Sequence, residues 1–173
     1  MAFDDSGENF KAYLQKMLPF VSSVVFLFCS YLPFDLLPIK TIHPELIFVC
    51  IYFWMIHRPD LFGLLSVFFL GLIDDLISNV PMGTNVFAVL ILFAFLSNLL
   101  RFFNGKSFVI TWYGFMFVAF VAFFSKWFIL SVYYSQFLPL GMVCFSFLYS
   151  VAIYPFLSLV LAFVQNKMIA DEE

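Results

Sequence analysis

Long apolar runs separated by short polar stretches dominate the chain. The runs are continuous Phe, Leu, Val and Ile, without the alternation of apolar and polar positions that the strands of a membrane barrel require. Because the interior of a bilayer offers the backbone no water to bond with, runs of this kind cross it as helices. The pattern predicts six helices, at residues 17–32, 44–56, 61–77, 85–103, 108–134 and 140–164.

The second predicted helix, 44–56, is shorter than a membrane is thick. At a rise of 1.5 Å per residue it extends about 20 Å, whereas the hydrocarbon core of a bilayer measures about 30 Å. Pro44 suits the first position of a helix, and Glu45 suits its electropositive end. We expect this helix to span only if neighbouring helices shield its ends or the bilayer thins around it.

Composition narrows the class of protein. Hydrophobic residues make up 64% of the 173 residues and charged residues 11%, against about 25% charged in soluble globular proteins. Eight Lys plus Arg residues are too few for a nucleic-acid binder, and 28 Phe residues exclude a disordered chain. The sequence therefore predicts an all-α integral membrane protein, a compact bundle of six transmembrane helices.

Basic residues predict the orientation of this bundle, since they favour the cytoplasmic side. With the N-terminus inside, the only basic residue in the outer loops is Lys40. The basic residues at the inner ends are then Lys11, Lys16, Arg58, Arg101, Lys106 and Lys167. We expect both termini to be cytoplasmic, with short tails at 1–16 and 166–173 flanking a transmembrane domain at 17–165.

Motifs for catalysis are missing from the sequence. The two histidines, His43 and His57, fall at opposite faces of the predicted bundle and cannot share a site. No Gly-x-Ser-x-Gly, His-Glu-x-x-His, Cys-x-x-Cys or phosphate-binding glycine loop occurs. We therefore expect a protein that is not an enzyme and that holds neither a cofactor nor a metal.

Two adjacent carboxylates, Asp74 and Asp75, interrupt the third predicted helix. Each costs about 2.5 to 3.5 kcal/mol at the centre of a membrane, so we expect both to face protein or water. Asp75 lies near the outer end and shares a helical stripe with Gly71, whereas Asp74 lies about 100° round. Two roles remain open for Asp75, a headgroup anchor or a contact with a neighbouring helix or partner. Gly71 would admit a close helix, from within the chain or from a partner.

Lys126 lies inside the fifth predicted helix, at an outer depth similar to that of Asp75. An ion pair between the two side chains would relieve the cost of burying both charges. Alternatively, the aliphatic stem of Lys126 could carry its ammonium group to the membrane surface.

The region from residue 44 to residue 83 combines a distinctive set of residues: Pro44, Trp54, Pro59, Gly71, Asp75, Leu76 and Gly83. In these residues the region resembles the MreD family of bacterial rod-shape proteins. Asn79 stands where the family often has Gly, which questions the geometry of the turn. Asp74 stands where an apolar residue is usual, which leaves open which carboxylate has the family role.

The resemblance implies a non-enzymatic scaffold in the bacterial inner membrane. Such a scaffold works with MreC, and through it with MreB, RodA and a penicillin-binding protein, in lateral cell-wall growth. The implied fold is similar to the substrate-binding subunits of energy-coupling-factor transporters, so the alternative function is binding of a small molecule such as a vitamin. Those subunits commonly dock through small residues four apart in the first helix, and residues 20–30 contain no such pair. Candidates for partner contact or helix packing are Gly71, Asp75, Asp74, Gly83, Lys126, Pro44 and Trp54.

Overall fold

The computed structural model describes residues 4–31, 44–103 and 105–170. Within these ranges the chain forms six α-helices and no strand, which confirms the predicted all-helical fold. The helices are α1 (Asp4–Ser30), α2 (Leu46–His57), α3 (Leu64–Ile77), α4 (Thr84–Phe103), α5 (Phe108–Tyr133) and α6 (Leu140–Ala170). Each contains most of one predicted run. Lys40, His43 and Asn104 lie outside the described residues.

The two terminal helices extend beyond the apolar runs that predicted them. Helix α1 begins at Asp4 instead of residue 17, and α6 continues to Ala170 instead of ending at 164. Hydropathy locates the apolar part of a helix, but a polar stretch rich in helix-forming residues such as Lys and Gln continues the same hydrogen-bonding pattern. The predicted tails at 1–16 and 166–173 are therefore largely helical, and their place relative to a membrane stays a prediction.

Helix α2 begins at Leu46, so the prediction that Pro44 occupies the first helical position is wrong. Glu45 has a non-helical backbone, with φ −81° and ψ 75°. Its N–H donates to Ser150 Oγ on α6 at 3.0 Å, which draws the chain away from a helical path. Pro44 and Glu45 thus form a bend that precedes the helix.

Helix α2 lies at the centre of the bundle. Its side chains from Leu46 to Met55 are all buried, and it packs against α1, α4, α5 and α6. A helix that is apolar on every side belongs in such a position. We expected this short helix to need either shielding by neighbouring helices or a thinner bilayer, and the structure shows the shielding.

Aromatic side chains fix α2 within the bundle. Tyr52 meets the ring of Phe115 edge-on, with centroids 5.2 Å apart, and donates its hydroxyl to the carbonyl of Thr111 at 2.7 Å. Trp54 is fully buried, and its Nε1 donates to Ser22 Oγ on α1 at 3.1 Å. Trp54, a candidate for partner contact or packing, therefore packs inside the chain between α1 and α2.

Much of the described exterior is apolar while two acidic side chains lie inside, the reverse of the pattern in a soluble protein. Asp74 and Asp75 are buried. Exposed aromatic residues on α5 and α6 include Phe117, Phe120, Phe124, Phe128, Phe145, Phe156 and Phe163. By length and composition, α5 and the 140–166 part of α6 could each cross a bilayer, and they are the two helices of the described ranges that meet that test.

Candidate functional site: two polar clusters at one end of the bundle

The connection from α3 to α4 is a tight turn with two residues in the left-handed backbone region. Gly83 has φ +96° and Asn79 has φ +52°. Glycine adopts this conformation without steric cost, and asparagine is among the few other residues that tolerate it. Asn79, which stands where the resembled family often has Gly, therefore adopts a backbone conformation typical of glycine. The turn forms despite this difference.

The carboxylate of Asp75 reaches across this turn to the start of α4. Its Oδ2 accepts from the N–H of Gly83 at 2.7 Å and of Val86 at 3.3 Å, and its Oδ1 accepts from the N–H of Asn85 at 2.8 Å. The first N–H groups of a helix have no partner within it, and a negative charge there also complements the helix dipole. Asp75, only 4% exposed, thus caps a neighbouring helix of its own chain.

Gly71 lies one helical turn before Asp75, where α3 meets α4. A Cβ added to Gly71 would lie 2.7 Å from Val89 Cγ2 and 2.8 Å from the Cα of Val86. Both distances are too short for real atoms, so the missing side chain is what lets the two helices approach. Of the two possibilities left open for Gly71, the structure shows an approach from within the chain, and the approaching helix is α4. Together Gly71, Asp75 and Gly83 form what we name the α3–α4 corner.

Asp74 points to a different neighbour. It is 2% exposed, and its Oδ1 accepts a hydrogen bond from the hydroxyl of Tyr31, at the end of α1, at 2.5 Å. Its Oδ2 has no hydrogen-bond partner among the described residues. Although Asp74 and Asp75 point in different directions, both are inside the bundle because α1 covers one direction and α4 the other.

Lys126 donates a hydrogen bond to Glu45 Oε1, and the two side chains are 14% and 19% exposed. The predicted pair between Lys126 and Asp75 is therefore wrong. The carboxylate oxygens of Asp75 accept hydrogen bonds from the backbone at the start of α4. Glu45 lies in the bend before α2, and its carboxylate pairs with Lys126. The ion pair joins α5 to the start of α2.

Two further contacts hold the bend at Pro44 and Glu45. The carbonyl of Pro44 accepts a hydrogen bond from Ser30 Oγ on α1, and the Glu45 N–H donates to Ser150 Oγ on α6. We name Ser30, Tyr31, Glu45, Asp74, Lys126 and Ser150 the interhelical cluster. The sequence pattern does not identify Ser30, Tyr31 or Ser150 as members of a site, because an isolated serine or tyrosine next to apolar residues carries no signal about its partner on another helix.

Chemically, both clusters are sets of contacts between elements of one chain. Backbone capping at the α3–α4 corner and side-chain pairing in the interhelical cluster satisfy polar groups that would be costly to leave unbonded away from water. In the part of the chain that the structure describes, no group of three His, Cys, Asp or Glu side chains could hold a metal ion. The arrangement stabilises the bundle.

The fold and these clusters define an all-helical bundle with two helices long and apolar enough to cross a membrane, whose buried polar residues connect its own helices. A comparison with known protein families identifies the family to which the chain belongs. The family model for the rod shape-determining protein MreD matches residues 11–165. Since this range covers most of the 173 residues, the chain belongs to the MreD family. No curated protein and no solved structure matches the chain.

Proposed function

We propose that the protein is a non-enzymatic scaffold of the bacterial rod-shape complex. The match of residues 11–165 to a rod shape-determining family carries this proposal and favours it over a vitamin-binding subunit. A scaffold acts by association, and helices associate in lipid through packing and interhelical hydrogen bonds. The protein would contribute a rigid bundle in the inner membrane and no chemical step.

The proposed topology is six spans with both termini in the cytoplasm. Six helices, an apolar exterior and buried acids support it. Helix α2 has 12 residues, about 18 Å, and its neighbours surround it, so its short length need not expose polar ends to lipid. The transmembrane domain would cover 17–165, in a bundle similar to energy-coupling-factor substrate-binding subunits.

Reporter fusions test this topology. Fusions after Val80 and Gln136 should report the outer side, and fusions after Pro59 and Asn104 the cytoplasm. An inverted result at any two of these four positions would contradict the proposed arrangement.

The proposed partners are MreC directly, and MreB, RodA and a penicillin-binding protein through it. The polar residues of both clusters are engaged within the chain, so the surface left for a partner's membrane helix is the apolar exterior. Packing of apolar and small side chains, instead of buried charge pairing, would then provide the contact.

Depletion and co-purification test the function together. In a rod-shaped bacterium, loss of the protein should give round, swollen cells, and the protein extracted in mild detergent should co-purify with MreC. Depletion that leaves rods intact while blocking septation would contradict the role in elongation. Micromolar binding of a vitamin by the purified protein in nanodiscs would favour the alternative function.

A further inference from the structure

A cavity of about 460 Å³ lies at the opposite end of the bundle from the two polar clusters. It is bounded by the end of α2 at His57, by the α4–α5 connection at Lys106, and by α6 from Tyr154 to Ala162. The volume falls within the range of about 300 to 1,000 Å³ that is typical of small-molecule sites. Neither cluster described above contributes a residue to it.

The cavity follows from where the helices end. Helix α2 ends at His57, and α5 begins only at Phe108, whose ring stacks on that of Tyr154 with centroids 6.1 Å apart. Helix α6 continues beyond Tyr154 to Ala170. The space beyond the end of α2 is left to the side chains that line it.

Those side chains are apolar on the walls and basic at one edge. Phe53, Phe108, Tyr154 and Leu159 supply apolar surface. Lys106 is exposed at the edge, with Nζ 5.5 Å from the centroid of the Phe102 ring. His57 Nδ1 lies 2.9 Å from the carbonyl of Phe53, and since a carbonyl only accepts, this nitrogen is the donor. The other ring nitrogen, Nε2, is then an acceptor that suits a headgroup hydroxyl.

We propose that this cavity binds an anionic phospholipid of the cytoplasmic leaflet, with an acyl chain against the apolar walls, the phosphate beside Lys106 and a headgroup hydroxyl beside His57. Basic pockets between membrane helices on the cytoplasmic side recognise anionic headgroups in this way. The positive edge selects the headgroup by charge, and the aromatic walls select a chain over a soluble phosphate. The leaflet follows from the proposed topology, whereas binding itself is measured without reference to cell shape.

Native mass spectrometry of the full-length protein tests the proposal. The probes are palmitoyl-oleoyl phosphatidylglycerol and phosphatidylcholine with the same chains. We expect phosphatidylglycerol to be retained preferentially, and Lys106→Gln to reduce its retention about five-fold, the loss that one basic residue near an anionic surface accounts for. Arg58→Gln is the matched control, because Arg58 is basic, follows His57 directly, and does not line the cavity.

A second variant tests the chain-binding part. Ser158 lines the cavity, and Ser158→Phe would fill it and should lower retention of both lipids. The proposal would be overturned if the protein retained the two lipids equally, or if Arg58→Gln and Lys106→Gln lowered retention by the same amount. It would also be overturned if a folded Ser158→Phe variant retained both lipids as well as the parent protein does. Displacement of the lipid by excess glycerol 3-phosphate, which carries the phosphate without an acyl chain, would overturn it as well.

Discussion

Asp75 accepts hydrogen bonds from three backbone N–H groups at the start of α4, whereas Asp74 accepts one from the side chain of Tyr31. The partners of Asp75 lie 8 to 11 residues away along the chain, and the partner of Asp74 lies 43 residues away. Two adjacent and similarly buried acids therefore stabilise contacts of different range along the chain. Asp75 sets a local corner, and Asp74 helps to connect helices that are distant in sequence.

The other residues of the α3–α4 corner and of the interhelical cluster differ in the same way, in local against long-range contacts. At the α3–α4 corner, Gly71 and Gly83 contribute only backbone, so geometry decides what is tolerated. In the interhelical cluster, Glu45 and Lys126 are 81 residues apart and form an ion pair, so electrostatics decides. Substitutions at the corner should act through steric fit and capping, and substitutions in the interhelical cluster through unpaired charge.

The largest effect is expected for Lys126→Met. Removing one partner of a buried ion pair leaves the other charge uncompensated, and such changes typically cost about 3 to 5 kcal/mol. Thermal unfolding in detergent would measure the loss of stability. The double variant with Glu45→Gln should be more stable than Lys126→Met alone, because both charges are then absent. Strictly additive effects of the two substitutions would show that the pair does not couple α2 to α5.

Gly71→Leu should destabilise the corner by about 1 to 3 kcal/mol or more, the range for overpacking. The new side chain would meet the backbone of α4 at Val86, which cannot move aside as a flexible side chain would. Unfolding temperature and membrane abundance are the measurements. Gly141→Leu is the matched control, because a Cβ at Gly141 has no neighbouring atom within 4 Å. Similar losses in both variants would refute the steric account.

Asp75→Asn should cost about 2 kcal/mol, the scale of hydrogen bonds made by a charged group. An amide keeps one acceptor oxygen but places an NH₂ group against N–H donors of α4, so capping is partly lost. The control is Asp60→Asn, an exposed aspartate whose substitution should change stability by no more than about 0.5 kcal/mol. Equal stability of Asp75→Asn and the parent protein would exclude a capping role.

The smallest effect is expected for Tyr31→Phe, about 1 to 2 kcal/mol. The ring remains while Asp74 loses the hydroxyl that donates to it, and a buried acceptor without a donor is costly. Tyr113→Phe, at an exposed tyrosine of α5, controls for loss of a hydroxyl. If Tyr31→Phe unfolds no earlier than the control, Asp74 does not depend on α1.

The α3–α4 corner was predictable in part, and the interhelical cluster was not. Helical spacing places Gly71 and Asp75 on one stripe, and the Ser78 to Gly83 stretch marks a turn, but the sequence left open which helix meets that stripe. The pairs of Tyr31 with Asp74 and of Lys126 with Glu45 depend on how distant helices rotate and slide against one another. Asp75 and Lys126 lie at similar predicted depths in the membrane, which suggested an ion pair between them. Depth alone could not reveal that the carboxylate of Asp75 already accepts hydrogen bonds from the backbone of α4.

Helix ends were predictable only where a turn residue marks them. Ile77 ends α3 before the turn, as expected, whereas α1 continues through charged residues to Asp4. Apolarity reports the preference of a segment for lipid, and helix formation is a separate property of the backbone. The central position of α2 agrees with its uniform apolarity, although the sequence did not identify which helices surround it.

Asp75, the acid of the family motif, caps a helix of its own bundle, and we expect that it does not contact a partner. The most direct measurement is cell shape in a rod-shaped host that lacks its own copy, with Asp75→Asn expressed until its folded abundance in the membrane equals that of the parent protein. If Asp75 only caps α4, rods and co-purification of MreC are restored at equal abundance. Round cells and lost MreC despite equal folded abundance would contradict this expectation and would assign Asp75 to a partner interface.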